Sequence, residues 1–462
     1  MAKNLVYDIH DKPKFPQLLV FAFQQLLAIM AATITVPLIV GNGMSTSAAL
    51  FGAGVGTLVY QLFTRFRSPV FLGSSFAFIG PMQAAFAGGV ATSVGYIGLI
   101  IGAGFAALVY VILALIVKFA GINWINKLMP AAVIGPTVAL IGLSLAGAAI
   151  NDVFSYGATE KFGLNSYFTM TTPIWISLVC ALVTFATVIL CSVYGKKMVK
   201  LVPFIIGILA GYAVALIFTV IGIATGNDAL RVIDFSPFEA LVADGVGVST
   251  FLTLPDFTFL TAAKGIGDFV PGRLITIAVA YVPVAFVVFA EHLADHKNLS
   301  TIIDRDLLAD PGLHRTLLGD GVGSFAGAIF GGCPNTTYGE SVGCVAITKN
   351  ASIITITTTA IAAILIAFIS PFVAFLSSIP KCVMGGVCIT LYGFIAVSGL
   401  KMIQKVDLED SANLFTVSAI LIPGIGGMAM AIGGTVYVTP VACALVLGII
   451  TNLVLNKFKK KN

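Results

Sequence analysis

The chain has 462 residues, 58% of them hydrophobic and only 10% charged, with a formal net charge of +5 and a mean hydropathy of +1.04. Soluble domains carry roughly 25% charged residues, so a water-soluble globular fold is excluded. A bilayer-crossing helix takes about 20 apolar residues, and the length accommodates roughly a dozen spans with short loops.

The charged start, with Lys3, Asp8, Asp11, Lys12 and Lys14, leads directly into a long apolar run that reads as a first span, not a cleavable signal. Apolar segments then follow at residues 17–41, 46–64, 70–87, 91–117, 128–149, 173–194, 201–225, 272–293, 316–332, 335–348, 351–377, 381–400, 411–432 and 436–456. The third and tenth are short and interrupted by Gly, Pro, Ser or Thr, which marks them as broken spans. Residues 226–271 form a polar connection, expected outside the cell. With the N-terminus inside and strict alternation, twenty of the 25 Lys and Arg fall in inner segments, as basic residues do on the cytoplasmic side. A missed span would reverse every later loop and blur that split, so fourteen spans with both termini cytoplasmic are expected. The lysine run at 457–461 reads as an interfacial anchor. The seven cysteines lack paired spacing and argue against a disulfide framework.

An internal repeat is visible. Pro130, Val133 and Gly135 match Pro380, Val383 and Gly385 at one offset, and Gly73-Ser74-Ser75-Phe76 parallels Asn335-Thr336-Thr337-Tyr338. Gln24-Gln25 in the first segment parallels Glu291-His292 in the eighth. Seven spans per half is an odd number, so residues 1–225 and 272–462 are expected as inverted repeats, an arrangement that puts a transporter's site at the repeat interface.

Most acids fall in loops or at the termini, and Asp320 lies just inside the cytoplasmic end of its span. Glu291 and Glu340 alone fall at depth, where a charge costs about 2.5–3.5 kcal/mol on insertion scales. Protonation removes most of that cost. A carboxyl that gains and loses a proton beside a polar pocket is the working part of a proton-coupled transporter. Asn335-Thr336-Thr337-Tyr338-Gly339 supplies amide, hydroxyl and backbone groups next to Glu340, suited to a small flat ligand with N–H donors and C=O acceptors. The competing reading of the same residues is a polar network locking helices together. His292 and His296 share a helix face, but two histidines are too few for a metal site and the string is not H-E-x-x-H. His296 is expected in the solvated end of the span; Asp295 fits either there or in a hydrogen bond within the core. Asp310-Pro311-Gly312 reads as a turn.

These segments resemble the nucleobase–ascorbate transporter family: Leu72-Gly73-Ser74-Ser75-Phe76-Ala77-Phe78, Ala290-Glu291-His292, Asp310-Pro311-Gly312-Leu313-His314-Arg315, Asn335-Thr336-Thr337-Tyr338-Gly339-Glu340 and Met384-Gly385-Gly386-Val387. The resemblance implies an all-α integral membrane protein with short antiparallel strands in spans three and ten. It implies a core domain of spans 1–4 and 8–11, a gate domain of spans 5–7 and 12–14, and residence in the bacterial cytoplasmic (inner) membrane. It implies proton-coupled uracil uptake, with homodimers common and neither cofactor nor nucleic acid involved. Carried over by position, Glu291, Glu340, Phe76, Gly339, Ala32, Tyr338 and Tyr392 would bind the base, and Glu291, with Asp295 and His292 as further candidates, would handle the proton. Ser74, Ser75, Gln25, Asn335, Thr336 and Thr337 would support the pocket. Gln25, Asp295 and Ser341 stand where relatives often carry His, His and Asn. A xanthine or other purine-base symporter is the alternative. Anion transporters of similar architecture need positive potential at the site, which two carboxylates oppose. An intramembrane enzyme lacks a hydrolase motif here, and a channel needs no buried titratable pair.

Overall fold

The computed structural model describes residues 5–121, 124, 128–155, 159–162, 165–196, 198–243, 245–432 and 436–459. In chain order the main elements are α1 (Phe15–Val40), α2 (Thr46–Phe63), β1 (Leu72–Ser74), α3 (Ile79–Ala85), α4 (Thr92–Ala120), α5 (Ala131–Ser144), α6 (Ala146–Val153), β2 (Thr159–Phe162), β3 (Asn165–Phe168), α7 (Thr172–Tyr194), α8 (Pro203–Thr225), α9 (Arg273–Ile303), α10 (Leu313–Gly331), β4 (Asn335–Thr337), α11 (Gly339–Thr348), α12 (Ile353–Ile366), α13 (Ser370–Ser378), α14 (Lys381–Ile403), α15 (Ser411–Ile425), β5 (Met430–Ile432), β6 (Val436–Val438) and α16 (Pro440–Lys459). Among the described residues nine helices are long and apolar enough to cross a membrane. Large apolar side chains such as Leu182, Val193, Ile217 and Val220 stay exposed on them, as lipid-facing surfaces require. The end of the C-terminal lysine run, residues 460–462, lies outside the described residues.

Three segments differ from expectation. The eighth continues past residue 293 to Ile303, because His292, Leu293, His296, Leu299 and Ile303 keep one buried face through a polar stretch. The eleventh breaks after Ile366 and resumes at Ser370, with Pro371 in the first turn of α13. The thirteenth stops at Ile425, where Gly427 takes a positive φ of 72° and the chain enters the β5–β6 hairpin.

The chain divides into two compact units: Met1–Ser144 with Pro255–Ile366 and Phe394–Asn462, and Leu145–Leu254 with Ala367–Gly393. In the first, α2 and α10 meet along a seam of small residues. Ala48, Gly52 and Gly56 face Gly331, Gly327 and Gly323; a Cβ on Gly56 would sit 2.7 Å from the Gly323 carbonyl oxygen and one on Gly331 2.6 Å from that of Ala48. Glycines four apart on both helices let the backbones touch, which is how helices associate without a hydrophobic driving force. An N-terminal strap is fixed to the α11–α12 link: Val6 N–H donates to Lys349 O (2.8 Å), Ala351 N–H to Tyr7 O (2.9 Å) and Ser352 Oγ to Asp11 O (2.6 Å). In the second unit α7 and α8 pack closely where Gly207 meets Thr184 O and Val188, and Ala181 O sits against Gly386. There the start of α13 is tied to the connecting segment by Ser370 Oγ donating to Ser249 O (3.0 Å). Pro130 and Pro380 begin their helices alike, each carbonyl accepting from the N–H three residues on, Val133 at 2.8 Å and Val383 at 3.0 Å.

Candidate functional site

Two broken segments of the first unit build the site. β1 and β4 pair antiparallel, Leu72 with Thr337, Gly73 with Thr336 and Ser74 with Asn335. The pairing is extended by Ser75 N–H to Pro334 O (2.9 Å) and Tyr338 N–H to Phe71 O (3.3 Å). β1 is satisfied on its other side by Thr57, whose Oγ1 accepts from Leu72 N–H (2.9 Å). Asn335 is set by the glycine seam, its Nδ2 donating to Gly52 O (3.2 Å). Gly73 is required by its neighbour, because a Cβ there would enter the Tyr338 ring. The Tyr338 hydroxyl donates to Ser74 O (2.6 Å) and lies beside Thr33, next to Ala32 on α1. Each strand leads into a helical start, at Phe76 and at Gly339, whose first N–H groups precede any intrahelical bond. Such ends can meet a polar ligand's oxygens.

Three carboxyl groups gather at this point. Glu291 and Asp295 sit one turn apart on α9, and Glu340 is in the first turn of α11; all three are half-buried, within range of one another's charge. Asp295 Oδ2 accepts from Thr337 Oγ1 (2.9 Å), and its Oδ1 faces Gly339, which is exposed while Tyr338 beside it is buried. The start of α11 therefore opens onto accessible space next to the acids.

Behind the strands lies a fully buried polar network. His292 Nδ1 meets Asp320 Oδ2 at 2.7 Å and its Nε2 meets Thr316 Oγ1 at 3.0 Å. Thr336 stands between Asp320 and Tyr110. His296 stacks on His292 with ring centroids 4.1 Å apart; its Nδ1 meets His292 O (2.9 Å) and its Nε2 the Tyr60 hydroxyl (2.7 Å), which in turn bonds Ser68 (2.7 Å). The expectation of a solvated His296 is therefore overturned: α9 continues past it, and its side chain packs inward onto α2. Asp320, expected near a span end, is 1% exposed because α9 and α10 close over it. The Asn amide and the Thr and Tyr hydroxyls of the tenth segment flagged this region in the sequence; the His292–Asp320 pair carried no signal, since nothing in the sequence relates residues on separate helices.

Gln25 lies one layer back. Its Nε2 donates to Ser341 Oγ (2.5 Å), which also accepts from Phe71 N–H (3.0 Å), so one hydroxyl ties α1 and α11 to the entry of β1. Ser75 is buried and Phe76 half-buried at the first helical start. Tyr392 is buried on α14 in the other compact unit. Among the described residues no group of three or more His, Cys, Asp or Glu could hold a metal ion, and every described cysteine is free.

The sequence profile described as the Permease family, the xanthine and uracil permease group, matches residues 16–433. The chain belongs to the nucleobase–ascorbate transporter family. It is 38% identical over 453 residues to a uracil permease of Bacillus caldolyticus, covering 97% of this chain and 94% of that one. It is 35% identical over 464 residues to a uracil permease of Bacillus subtilis, covering 99% and 97%. In fold it is similar to the transmembrane domain of a cyanobacterial bicarbonate transporter, with a TM-score of 0.62 over 96% of this chain and all of that one, at 14% identity. Membership makes this member of the family an integral membrane transporter, not an enzyme.

Proposed function

We propose that this permease imports uracil with protons across the bacterial cytoplasmic membrane by alternating access. The observation that carries the reading is the meeting of Glu291 and Glu340 beside the open start of α11, at the end of the β1–β4 pair. Uracil's ring N–H groups pair with carboxyl oxygens, and its carbonyls with the first N–H groups at Phe76 and Gly339. Ala32 and Tyr338 flank the ring, and the family resemblance adds Tyr392 as a further base-binding residue. Ser74, Ser75, Gln25, Asn335, Thr336 and Thr337 hold the frame. The names of the curated relatives and the flat, amide-like complementarity of the pocket support uracil. A polar edge left unpaired is heavily penalised in such a pocket, which sets uracil ahead of xanthine or another purine base.

In this reading the chain forms fourteen spans in two inverted repeats, residues 1–225 and 272–462, with 226–271 outside and both termini inside. Spans 1–4 and 8–11 make the core and spans 5–7 and 12–14 the gate. A homodimer is compatible with the lipid-facing apolar surface. Glu291 takes the coupling proton outside, the neutralised pocket accepts the base, and both leave inside after the core moves against the gate. An anion substrate is disfavoured, because the charged groups converging here are carboxyls and, among the described residues, no Lys or Arg acts on Glu291, Asp295 or Glu340.

Uptake of radiolabelled uracil into proteoliposomes under an inward proton gradient tests the proposal. The wild type accumulates uracil uphill and Glu291→Gln does not. Undiminished uphill uptake by Glu291→Gln would remove Glu291 from the coupling role. Uptake blocked by sulfate and unaffected by unlabelled uracil would favour the anion class.

A further inference from the structure

Both half-helices that leave the strand pair are held at their far ends, in each case by the segment that enters a long helix. The last carbonyls of a helix have no partner within it. At the end of α3 they are met by the guanidinium of Arg273, the first residue of α9, whose Nη2 donates to Ala85 O and to Ala87 O, each at 3.0 Å. A cation in the opening turn of its own helix opposes that helix's dipole, whereas a cation at the closing turn of a neighbour suits it. Arg273 is therefore placed for α3, not for α9. Nearer the pocket, Phe78 stacks on Tyr281 of α9 with ring centroids 5.5 Å apart, so α3 lies against α9 along its length.

The end of α11 is held by the strap that enters α1. The helix closes at Lys349, whose φ of 56° turns the chain out of it, and the Lys349 carbonyl accepts from Val6 N–H (2.8 Å) and Tyr7 N–H (3.3 Å). Ile9 of the strap is 3% exposed and shares one buried cluster with Leu299 and Ile303 of α9 and with Val342 and Val345 of α11. Asp8 pairs with Arg305, just past the end of α9. The strap thus ties the helix that begins with Gly339-Glu340 to the helix that carries Glu291. It does so at Lys349, about 14 Å along the helix from Glu340 at 1.5 Å per residue.

We propose that Arg273 and Ile9 are positioning residues for substrate binding: each fixes the far end of a half-helix, so that the near end, at Phe76 or at Gly339 and Glu340, keeps its place in the pocket. Neither touches the ligand. The proposal rests on the uracil reading above and adds the means by which two short helices are kept in register with Glu291. Each half-helix hangs from a strand of three residues, and a helix fixed at that joint alone would tilt about it. A misplacement of about 1 Å at a binding group is enough to cost about 100-fold where geometry is demanding.

Full-length protein is measured in two ways: hydrogen–deuterium exchange without ligand, and uracil uptake in proteoliposomes resolved into KM and kcat. Ile9→Ala is expected to speed exchange about 10-fold across residues 339–348 and to leave 79–85 as in the wild type, and Arg273→Gln to do the reverse. Both are expected to raise KM about 10-fold with kcat within about twofold, the signature of binding lost equally in ground and transition states. Ile9→Leu keeps a buried aliphatic of the same volume and is expected to restore both readouts. Where Ile9→Ala does not fold, Asp8→Asn takes its place, with the same pattern at about threefold, as suits an exposed pair. Faster exchange spread evenly over the protein, unchanged exchange in the named half-helix, or an unchanged KM overturns the positioning role. Wild-type protein that takes up no uracil overturns the substrate reading, and the exchange measurement still decides whether the far ends are what hold the half-helices.

Discussion

Asp320 shows how much a single side chain can connect. Its Oδ2 meets His292, so α10 is joined to the helix carrying Glu291, while its Oδ1 is buried near Thr336 on β4 with no hydrogen-bond partner among the described residues. Asp320→Ala leaves His292 Nδ1 with no partner in a fully buried setting, and losing one member of a buried pair costs about 3–5 kcal/mol. Asp320→Asn keeps an acceptor of the same shape and is expected to lose clearly less. Thermal unfolding of the two variants in detergent checks the order; equal losses would mean that the hydrogen bond does not matter. The exposed Arg67–Asp310 pair at 2.6 Å is a contrast, because solvent screens it and such pairs contribute about 0–1 kcal/mol. Depth was legible in the sequence for Glu291 and Glu340, which interrupt apolar runs. It was not legible for Asp295, Asp320 or His296, which follow or precede polar neighbours and read as loop-ward. Only the length of α9 and the packing of α10 bring them inside.

At the level of elements, the strand pair depends on the helices packed against it. The seam between α2 and α10 sets the position of Asn335, and Thr57 completes the free edge of β1. Gly56→Leu would drive a side chain into Asn335 Nδ2 and the Gly323 carbonyl, 2.5 and 2.7 Å from the new Cβ. Backbone has to give way, so loss of folded protein is expected, read as aggregation on size-exclusion chromatography. Thr57→Val keeps the volume and removes the acceptor for Leu72 N–H. An unsatisfied buried donor costs about 1–3 kcal/mol, and a lowered melting temperature with weakened uracil binding is expected. A variant indistinguishable from wild type in both would show that β1 does not need its outer bond. The broken character of the third and tenth segments could be read from Gly, Pro and Ser/Thr placed where an unbroken helix would run. The pairing register could not, because it is fixed by contacts between residues far apart in the chain. Likewise the break after Ile366 carried no composition signal beyond Pro371, which suits a helix start as well as a turn.

For the molecule as a whole, substrate binding is a stability term. A ligand that binds only the folded state adds about 2.7 kcal/mol at a concentration of 100 Kd. Uracil is therefore expected to raise the melting temperature of the purified protein, with xanthine raising it less. A larger shift with xanthine would move the substrate assignment to purines, and repeating the measurement with and without sodium separates the coupling ions. Membrane insertion and the large number of spans followed from hydropathy alone, and the family followed from short collinear motifs. How the helices divide into compact units did not, since hydropathy describes each helix against lipid and is silent on which helices touch.

The Tyr338 hydroxyl and the Ser74 carbonyl that it holds are 264 residues apart in sequence. A ribosome must therefore deliver nearly three quarters of the polypeptide into the bilayer before the first strand meets its mate. Until then, β1 and the half-helix after it wait with bare amides in a greasy surround. Biogenesis of this permease thus has a late commitment point, and quality control has a natural checkpoint there: a nascent chain that stalls ahead of Asn335 can own every upstream span and still have nowhere to seat a nucleobase.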